Sequence, residues 1–422
     1  MSDFQDLLEQ ERRKHSMRDG SIEGLERRRN RKRRDGQILA GVLALLIASA
    51  GIGGGLWALR SSTSLKPANS PSPTPCPPGA PCPSPTPGGL PAGPSPVSGP
   101  IQFVDEDRGW MVDPDGQILA TTDGGQTWEV QLSGPSNIKA VDILDGQLGW
   151  AVGDSGVIET SDGGAHWVTW SNQALSSIQF ITSKTGWGVE AAEGHPEGLG
   201  SIMRSDDGGV TWSRSGPEVN SVCFTGEDSG WAAGPHEAGA ALFRTQDAGA
   251  NWTEIPIPIP DGDSTGWTAT VRCGGDTAWV LVTDGGGAGH IAYAMLRMAG
   301  ADSQARPILQ DSYTHPLGQG RDIQESSNPY PGPLTAIDGQ VSRFMTWCPA
   351  CGGDMPFVSL ERTDDGGATW TDPTVVDSNQ PGEPLGISFL DPDHGWALLR
   401  DLPKNALVVL RTSDGGQTWE RP

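Results

Sequence analysis

From residue 101 onward, short apolar runs alternate with clusters of turn residues, and the pattern returns every forty-odd residues. Each unit opens on a stretch such as Ile101-Gln102-Phe103-Val104 or Ile178-Gln179-Phe180-Ile181. A turn follows, then Gly-Trp or Ala-Trp with small and apolar residues: Gly109-Trp110, Gly149-Trp150, Gly186-Trp187, Gly230-Trp231, Ala278-Trp279 and Gly395-Trp396. An Ile/Leu/Val stretch comes next, then an eight-residue turn, then a last strand opened by a second Trp. Short apolar runs bounded by Gly, Asp and Ser read as strands. Each unit therefore predicts four antiparallel strands, and four strands per forty-odd residues is the signature of a propeller blade.

The eight-residue turn has the pattern Ser/Thr-x-Asp-x-Gly-x-x-Trp and occurs six times. Its Asp and Trp are Asp123 and Trp128, Asp162 and Trp167, Asp207 and Trp212, Asp247 and Trp252, Asp365 and Trp370, Asp414 and Trp419. An Asp side chain in such a turn accepts hydrogen bonds from loop N–H groups, and Gly permits positive φ. The Trp is then expected between neighbouring sheets. The repeats start 39, 45, 40, 118 and 49 residues apart. The long gap must hold a blade that has lost its turn, with strands expected in 271–273, 279–282 and 291–298, and a further blade starting in 333–347. The predicted fold is all-β, a seven-bladed β-propeller over 101–422. Eight blades is the alternative count, because 118 is also close to three periods.

Charge and hydropathy add a second part. Residues 1–60 hold 12 Lys+Arg against 8 Asp+Glu, so the remaining 362 residues carry a net charge of −27. A body that acidic repels nucleic acid and anionic lipid. Segment 38–59 is uncharged and 22 residues long, enough for a membrane-spanning helix at about 1.5 Å per residue. The basic run Arg27–Arg34 before it places the N-terminus on the cytoplasmic side. The charged region is too long for a cleaved signal peptide. Residues 60–100 are a Pro-rich stalk, with 14 prolines in 61–100, a composition that favours extended polyproline II over a packed core. The expected order is a basic tail (1–37), one transmembrane helix (38–59), the stalk and an extracytoplasmic propeller on a cell membrane. In a photosynthetic source that membrane would be the thylakoid.

The octads look like Asp-boxes, the bacterial neuraminidase repeat. Together with the Gly-Trp strands they make residues 101–422 resemble the photosystem II stability and assembly factor family of seven-bladed propellers. Similar octads occur in sialidases, sortilin-type receptors and some endoglucanases. The resemblance implies boxes on the outer turns between third and fourth strands, with a structural role for all six Asp. It also implies a non-enzymatic protein that docks on membrane partners during complex assembly. The acidic propeller, the Arg-rich tail, the span and the stalk lie outside that resemblance.

The rival reading is a sialidase-like propeller that binds or hydrolyses a glycan. A sialidase needs three convergent arginines, a Tyr nucleophile with a Glu partner, and an acid/base group. No Phe/Tyr-Arg-Ile-Pro signature is present, and Tyr293, Tyr313 and Tyr330 have no readable partner. Arg204, Arg244, Arg362 and Arg411 each precede a box, which argues for a repeat role. The pairs Asp105/Asp107 and Asp391/Asp393 read as turn residues. No catalytic, cofactor-binding or metal-binding residue is expected, and the partner is a protein outside the cytoplasm or, alternatively, a glycan. Candidate ligand loops at the channel mouth are 190–200 and 311–332.

Six cysteines in an exported chain suggest disulfides. Cys223 and Cys273 each precede a second-strand Trp on the innermost strands of adjacent blades, so a bridge is expected between them. Cys348 and Cys351 would lock a loop of the sixth blade. Cys76 and Cys82 would close a small loop in the stalk or pair between chains.

Overall fold

A computed structural model describes residues 99–422, apart from 134–136, 192–198, 237–238, 259–265, 285–290, 301, 303, 313–315, 317–322, 327–329, 349–357 and 378–381. The tail, segment 38–59 and the stalk up to residue 98, with Cys76 and Cys82, lie outside the described residues. Among the described residues no helix is long and apolar enough to cross a membrane.

The described chain is all-β, and 28 strands form seven sheets, each built from consecutive strands in meander order, antiparallel except for one outer strand. The blades span Ile101–Leu132, Ile138–Ser171, Leu175–Val219, Ser221–Pro258, Thr268–Ser326, Tyr330–Asp377 and Gly382–Thr412. First strands of successive blades lie side by side, and the seventh blade meets the first. Among the described residues the count is seven, and neither terminal blade borrows a strand from the other.

Two blades depart from four strands. Blade 5 carries a fifth, Gln324–Ser326, parallel to Arg306–Asp311. Blade 7 has a three-stranded sheet, and its fourth position is held by a single bridge in which Arg411 and Glu420 exchange backbone hydrogen bonds of 2.8 and 3.0 Å.

The Gly-Trp motif has a steric cause. In blades 1, 3, 4 and 7 its Gly lies opposite a Phe on the first strand, and the Phe ring rests on the glycine. A Cβ added at Gly230 would come within 2.5 Å of Phe224, and one at Gly186 within 2.6 Å of Phe180. Blade 5 has Ala278 there, opposite Cys273. The smaller partner is what makes room for the methyl group.

The adjacent Trp builds the seam to the next blade. Trp150 stacks on Phe180 at 3.6 Å between centroids, Trp187 on Phe224 at 3.7 Å, and Trp396 on Phe103 at 3.8 Å across the closure. Each Phe in turn meets a box Trp edge-on: Trp212, Trp252 and Trp128, at 5.9–6.0 Å. Trp150 and Trp396 also donate Nε1–H to box carbonyls of the following blade, Gly208 and Gly124, both at 2.9 Å. All six Gly-Trp or Ala-Trp tryptophans are buried. Of the box tryptophans only Trp370 is fully buried, and the other five are half-buried. The motif Trp is thus the core of each seam, and the box Trp is its outer cover.

Blade 6 has Arg343 at the register position of the motif Trp. Its side chain is 2% exposed, lies 5.7 Å from the Phe389 ring of blade 7, and donates to the Pro392 carbonyl at 2.8 Å. A guanidinium plane on an aliphatic stem replaces the indole.

Candidate functional site

In every box the Ser/Thr hydroxyl donates to Asp Oδ1 at 2.8–2.9 Å and accepts the N–H of the fifth box residue at 2.8–3.0 Å. Asp Oδ1 also accepts the N–H of the seventh residue at 2.8–2.9 Å. Asp Oδ2 meets that residue's side chain at 2.6–2.7 Å, through Thr127, His166, Thr211, Asn251, Thr369 or Thr418. The fourth residue's N–H donates to the hairpin between the blade's first two strands, as Gly124 does to Asp107 at 2.8 Å. That residue takes positive φ, and in blade 4 it is Ala248, at +59°.

Bonds to the ionised carboxylate favour the charged form. The side chain and N–H of Thr127 and the hydroxyl of Thr121 pull Asp123 down to about 2. The seventh residue's side chain and N–H likewise lower Asp207, Asp247 and Asp365. Partial burial pushes Asp162 and Asp414 up, and the same bonds outweigh it. A general acid must hold a proton near working pH. These carboxylates are ionised, and the turn itself occupies both their oxygens.

The other sequence candidates are also absorbed by architecture. Asp105 and Asp391 each accept two N–H groups of their own hairpin turns. Tyr293 is fully buried, Tyr330 packs against Trp347 with ring centroids 5.5 Å apart and planes tilted by 49°, and Tyr313 lies outside the described residues. Arg204, Arg244 and Arg411 sit 5.0–5.5 Å over the motif Trp of their own blades. Arg204 reaches on to the Ala248 carbonyl of the next blade at 2.8 Å, and Arg411 to Glu106 at 2.7 Å. Arg362 points to the Gly415 carbonyl at 3.5 Å. Three of them reach across to the following blade, each at a different seam, and the four do not converge. Among the described residues no His/Cys/Asp/Glu group could hold a metal.

The inner strands carry a second repeat that the motif search missed. On each first strand one residue lies opposite the motif position, and in five blades it ties to the next blade's first strand. Gln102 grips Ile143 through both backbone groups at 2.8 and 3.0 Å, and Gln179 grips Phe224 at 2.7 and 3.2 Å. Asp142 accepts the Phe180 N–H at 2.6 Å, and Ser388 accepts that of Phe103 at 3.0 Å. In blade 4 the tie residue is Cys223, bonded to Cys273, with Cα atoms 5.9 Å apart. Cys273 is one register step further along and stands where Ile143, Phe180 and Phe224 stand. The disulfide is the covalent counterpart of the glutamine grip. A sequence signal existed in blades 1, 2, 3 and 7: a polar residue directly before the Phe or Ile that precedes the hairpin.

Blade 5 places Arg272 at the tie position. Its Nη1 donates to its own neighbour's carbonyl, Val271, at 3.0 Å, rather than to blade 6. Burial lowers its pKa to about 10, which leaves it charged at neutral pH. The central channel opens beside it into a cavity of about 170 Å³, walled by the first strands of blades 1, 5, 6 and 7.

Two loop expectations resolve differently. Of 311–332, Gln324–Ser326 forms the outer strand of blade 5 rather than a channel-mouth loop, and Gln324 pairs with both backbone groups of the box residue Trp370 at 2.8 Å. Most of 190–200 lies outside the described residues. Cys348 is disulfide-bonded, and Cys351 lies outside the described residues.

Radial four-stranded sheets, self-saturated boxes and stacked Trp–Phe seams define an Asp-box β-propeller. Residues 95–214 match the family described as photosynthesis system II assembly factor YCF48. The chain is 28% identical over 121 residues to the photosystem II assembly lipoprotein Ycf48 of Synechococcus sp. strain CC9902, a stretch covering 27% of this chain and 35% of that protein. Among solved structures, YCF48 bound to D1 peptide superposes with a TM-score of 0.50 at 19% identity, covering 76% of this chain and 94% of the other. YCF48 from Cyanidioschyzon merolae gives 0.50 at 18% identity, covering 78% and 98%. An ancestral GH74 enzyme also gives 0.50, at 10% identity, and there this chain covers 46% of the other. The domain is a photosystem II assembly factor-like propeller. The solved structures carry the likeness of fold, and the partial sequence matches point to the assembly-factor family.

Proposed function

We propose that this chain is a non-enzymatic, membrane-anchored propeller that binds partner proteins outside the cytoplasm during assembly of a membrane complex. The observation that carries the reading is the match of residues 95–214 to the assembly-factor family. The internal saturation of all six box carboxylates supports it, because it leaves the most conspicuous acidic repeat without a chemical task. A solved YCF48 is described as bound to a D1 peptide, and the same kind of ligand, a segment of a membrane-complex subunit, is proposed here.

The docking face follows from strand order. Boxes and first hairpins share one face and are hydrogen-bonded to each other. The opposite face carries the second-to-third-strand connections, which range from the two residues between Gly153 and Gly156 to the ten between Trp347 and Val358. Variable loops on a rigid ring are where binding residues concentrate. The uncharged segment 38–59 and its flanking arginines support the anchor.

The test is crosslinking of the full-length chain in its native membrane, followed by identification of the adducts. Adducts to subunits of a membrane complex are expected, and replacing loop 348–357 with a short Gly-Ser linker should remove a subset of them. Release of fluorophore from a sialyl conjugate by the purified chain would refute the non-enzymatic reading.

A further inference from the structure

We propose that the channel cavity beside Arg272 is a binding site for a single carboxylate, held by the Arg272 guanidinium. The site is set by the channel wall, so it goes beyond partner docking on the loop face and stands or falls separately from it. Among the described residues no carboxylate pairs with Arg272, and its one hydrogen bond goes to the Val271 carbonyl. Arg272 is half-buried in the channel wall, and a charge partly withdrawn from water gains from a paired, hydrogen-bonded counter-ion.

Position adds a second argument. Five blades use the tie position to close a seam, and blade 5 does not. The cavity opens where that tie is missing, so the free cation and the empty space coincide. Of the other polar side chains on the wall, Gln102 and Ser388 already hold blade 2 and blade 1. Arg272 alone brings charge to this wall. A planar guanidinium fits a carboxylate bidentately. A space of about 170 Å³ admits one small acidic group and excludes a folded surface.

Such a carboxylate could belong to a free small acid or to the C-terminus of a peptide, and the experiment separates them. Acetate, N-acetyl-dialanine with a free C-terminus, and the same dipeptide as its amide are titrated into the full-length protein by calorimetry and thermal shift. Wild type should bind one or both acids and ignore the amide. Arg272→Gln should weaken acid binding about 10- to 100-fold, the range for losing a charge-assisted bond. Its own Tm should not fall, because an uncompensated charge is removed. Arg272→Lys, which keeps the charge and loses the fork, should bind in between, and it carries the test if the Gln variant does not fold. Arg214→Gln, on the outer edge of blade 3, should bind as wild type does. Binding of acetate alone identifies a free small acid, and binding of the dipeptide acid identifies a chain terminus. Equal binding of acid and amide, no binding of either acid at about 10 mM, a millimolar-scale limit, or an Arg272→Gln variant that binds as wild type does would each overturn the proposal.

Discussion

The seams around blades 3 and 4 and the seam between blades 4 and 5 solve one problem by different chemistry. Where blade 3 meets blade 4, Trp187 stacks on Phe224, Trp252 covers the edge, and Gln179 grips the Phe224 backbone. Where blade 4 meets blade 5, the Phe is gone, no box follows, and the grip is the Cys223–Cys273 bond. The same lattice point takes an aromatic stack plus a hydrogen-bonded amide, or a covalent link. A propeller seam therefore needs one strong fastening per blade pair, and several chemistries can supply it.

The aromatic solution should be the hardest to lose. Trp150 is fully buried between Phe180 and the Gly208 carbonyl. Trp150→Ala should lower the unfolding free energy by about 3–5 kcal/mol, read from a urea or guanidinium midpoint. A loss below about 1 kcal/mol would mean that the stack is incidental. Removing the covalent fastening should come next. Cys223→Ala with Cys273→Ala should lose about 2–4 kcal/mol under oxidising conditions, and reductant should then destabilise the variant by less than it does wild type, since only the Cys348 bond is left to break. Gln179→Ala should lose about 1–3 kcal/mol, since it strands two buried backbone groups. If the cysteine pair proves dispensable while Gln179 does not, the two fastenings are not equivalents.

The regular seams were legible in the sequence because their chemistry repeats. Six octads, five of them with Gly-Trp before them, located turns and second strands, and the period exposed blade 5 behind its lost box. The cysteine pair was readable from its place on adjacent inner strands, though not the one-residue offset that makes Cys273 a stand-in for Phe. Arg343 broke the motif it serves, because its residue type hides a stacking role that depends on Phe389. Gln324-Glu325-Ser326 carries no strand pattern of its own. Its pairing is fixed by Trp370 and Glu361, some 35 to 46 residues away in sequence. Arg272 gave no signal either, because channel exposure is a property of the closed ring.

The irregular fifth blade brings one titrating group into the core. Glu361 of blade 6 is 2% exposed and accepts a 2.5 Å hydrogen bond from Ser326 on the extra strand. Burial raises its pKa from 4.5 to about 7, against hydrogen bonds from Ser326 and Thr346 that lower it. The folded state therefore holds this proton more tightly than the unfolded chain. That contribution to stability is complete below pH 4.5 and is lost as pH rises through about 7. The loss should be at most about 3 kcal/mol, at 1.36 kcal/mol per pH unit. Glu361→Gln keeps an acceptor for Ser326 and should flatten the stability curve between pH 5 and 7.5. A variant with the slope of wild type would place the titration elsewhere.

The smallest effect is expected where the sequence looked most functional. Asp207 is tied to Thr211, to its N–H and to Ser205, and its exposed turn is one of six. Asp207→Asn preserves an acceptor for the Thr211 N–H and gives up the charge that strengthens it. Its Tm at neutral pH should fall by no more than about 2 °C, given about 2–4 °C per kcal/mol in a domain of this size class. The sign with pH is opposite to that of Glu361. A carboxylate held below its ordinary pKa stabilises the fold above pH 3.8, and that support is lost as pH falls through the lowered value. Wild type should therefore lose Tm in acid slightly more steeply than Asp207→Asn, as scanning calorimetry at pH 6 and pH 3 would show. A fall as deep as that of Trp150→Ala, or loss of membrane-complex crosslinks with the fold intact, would mean that the box does more than close a turn.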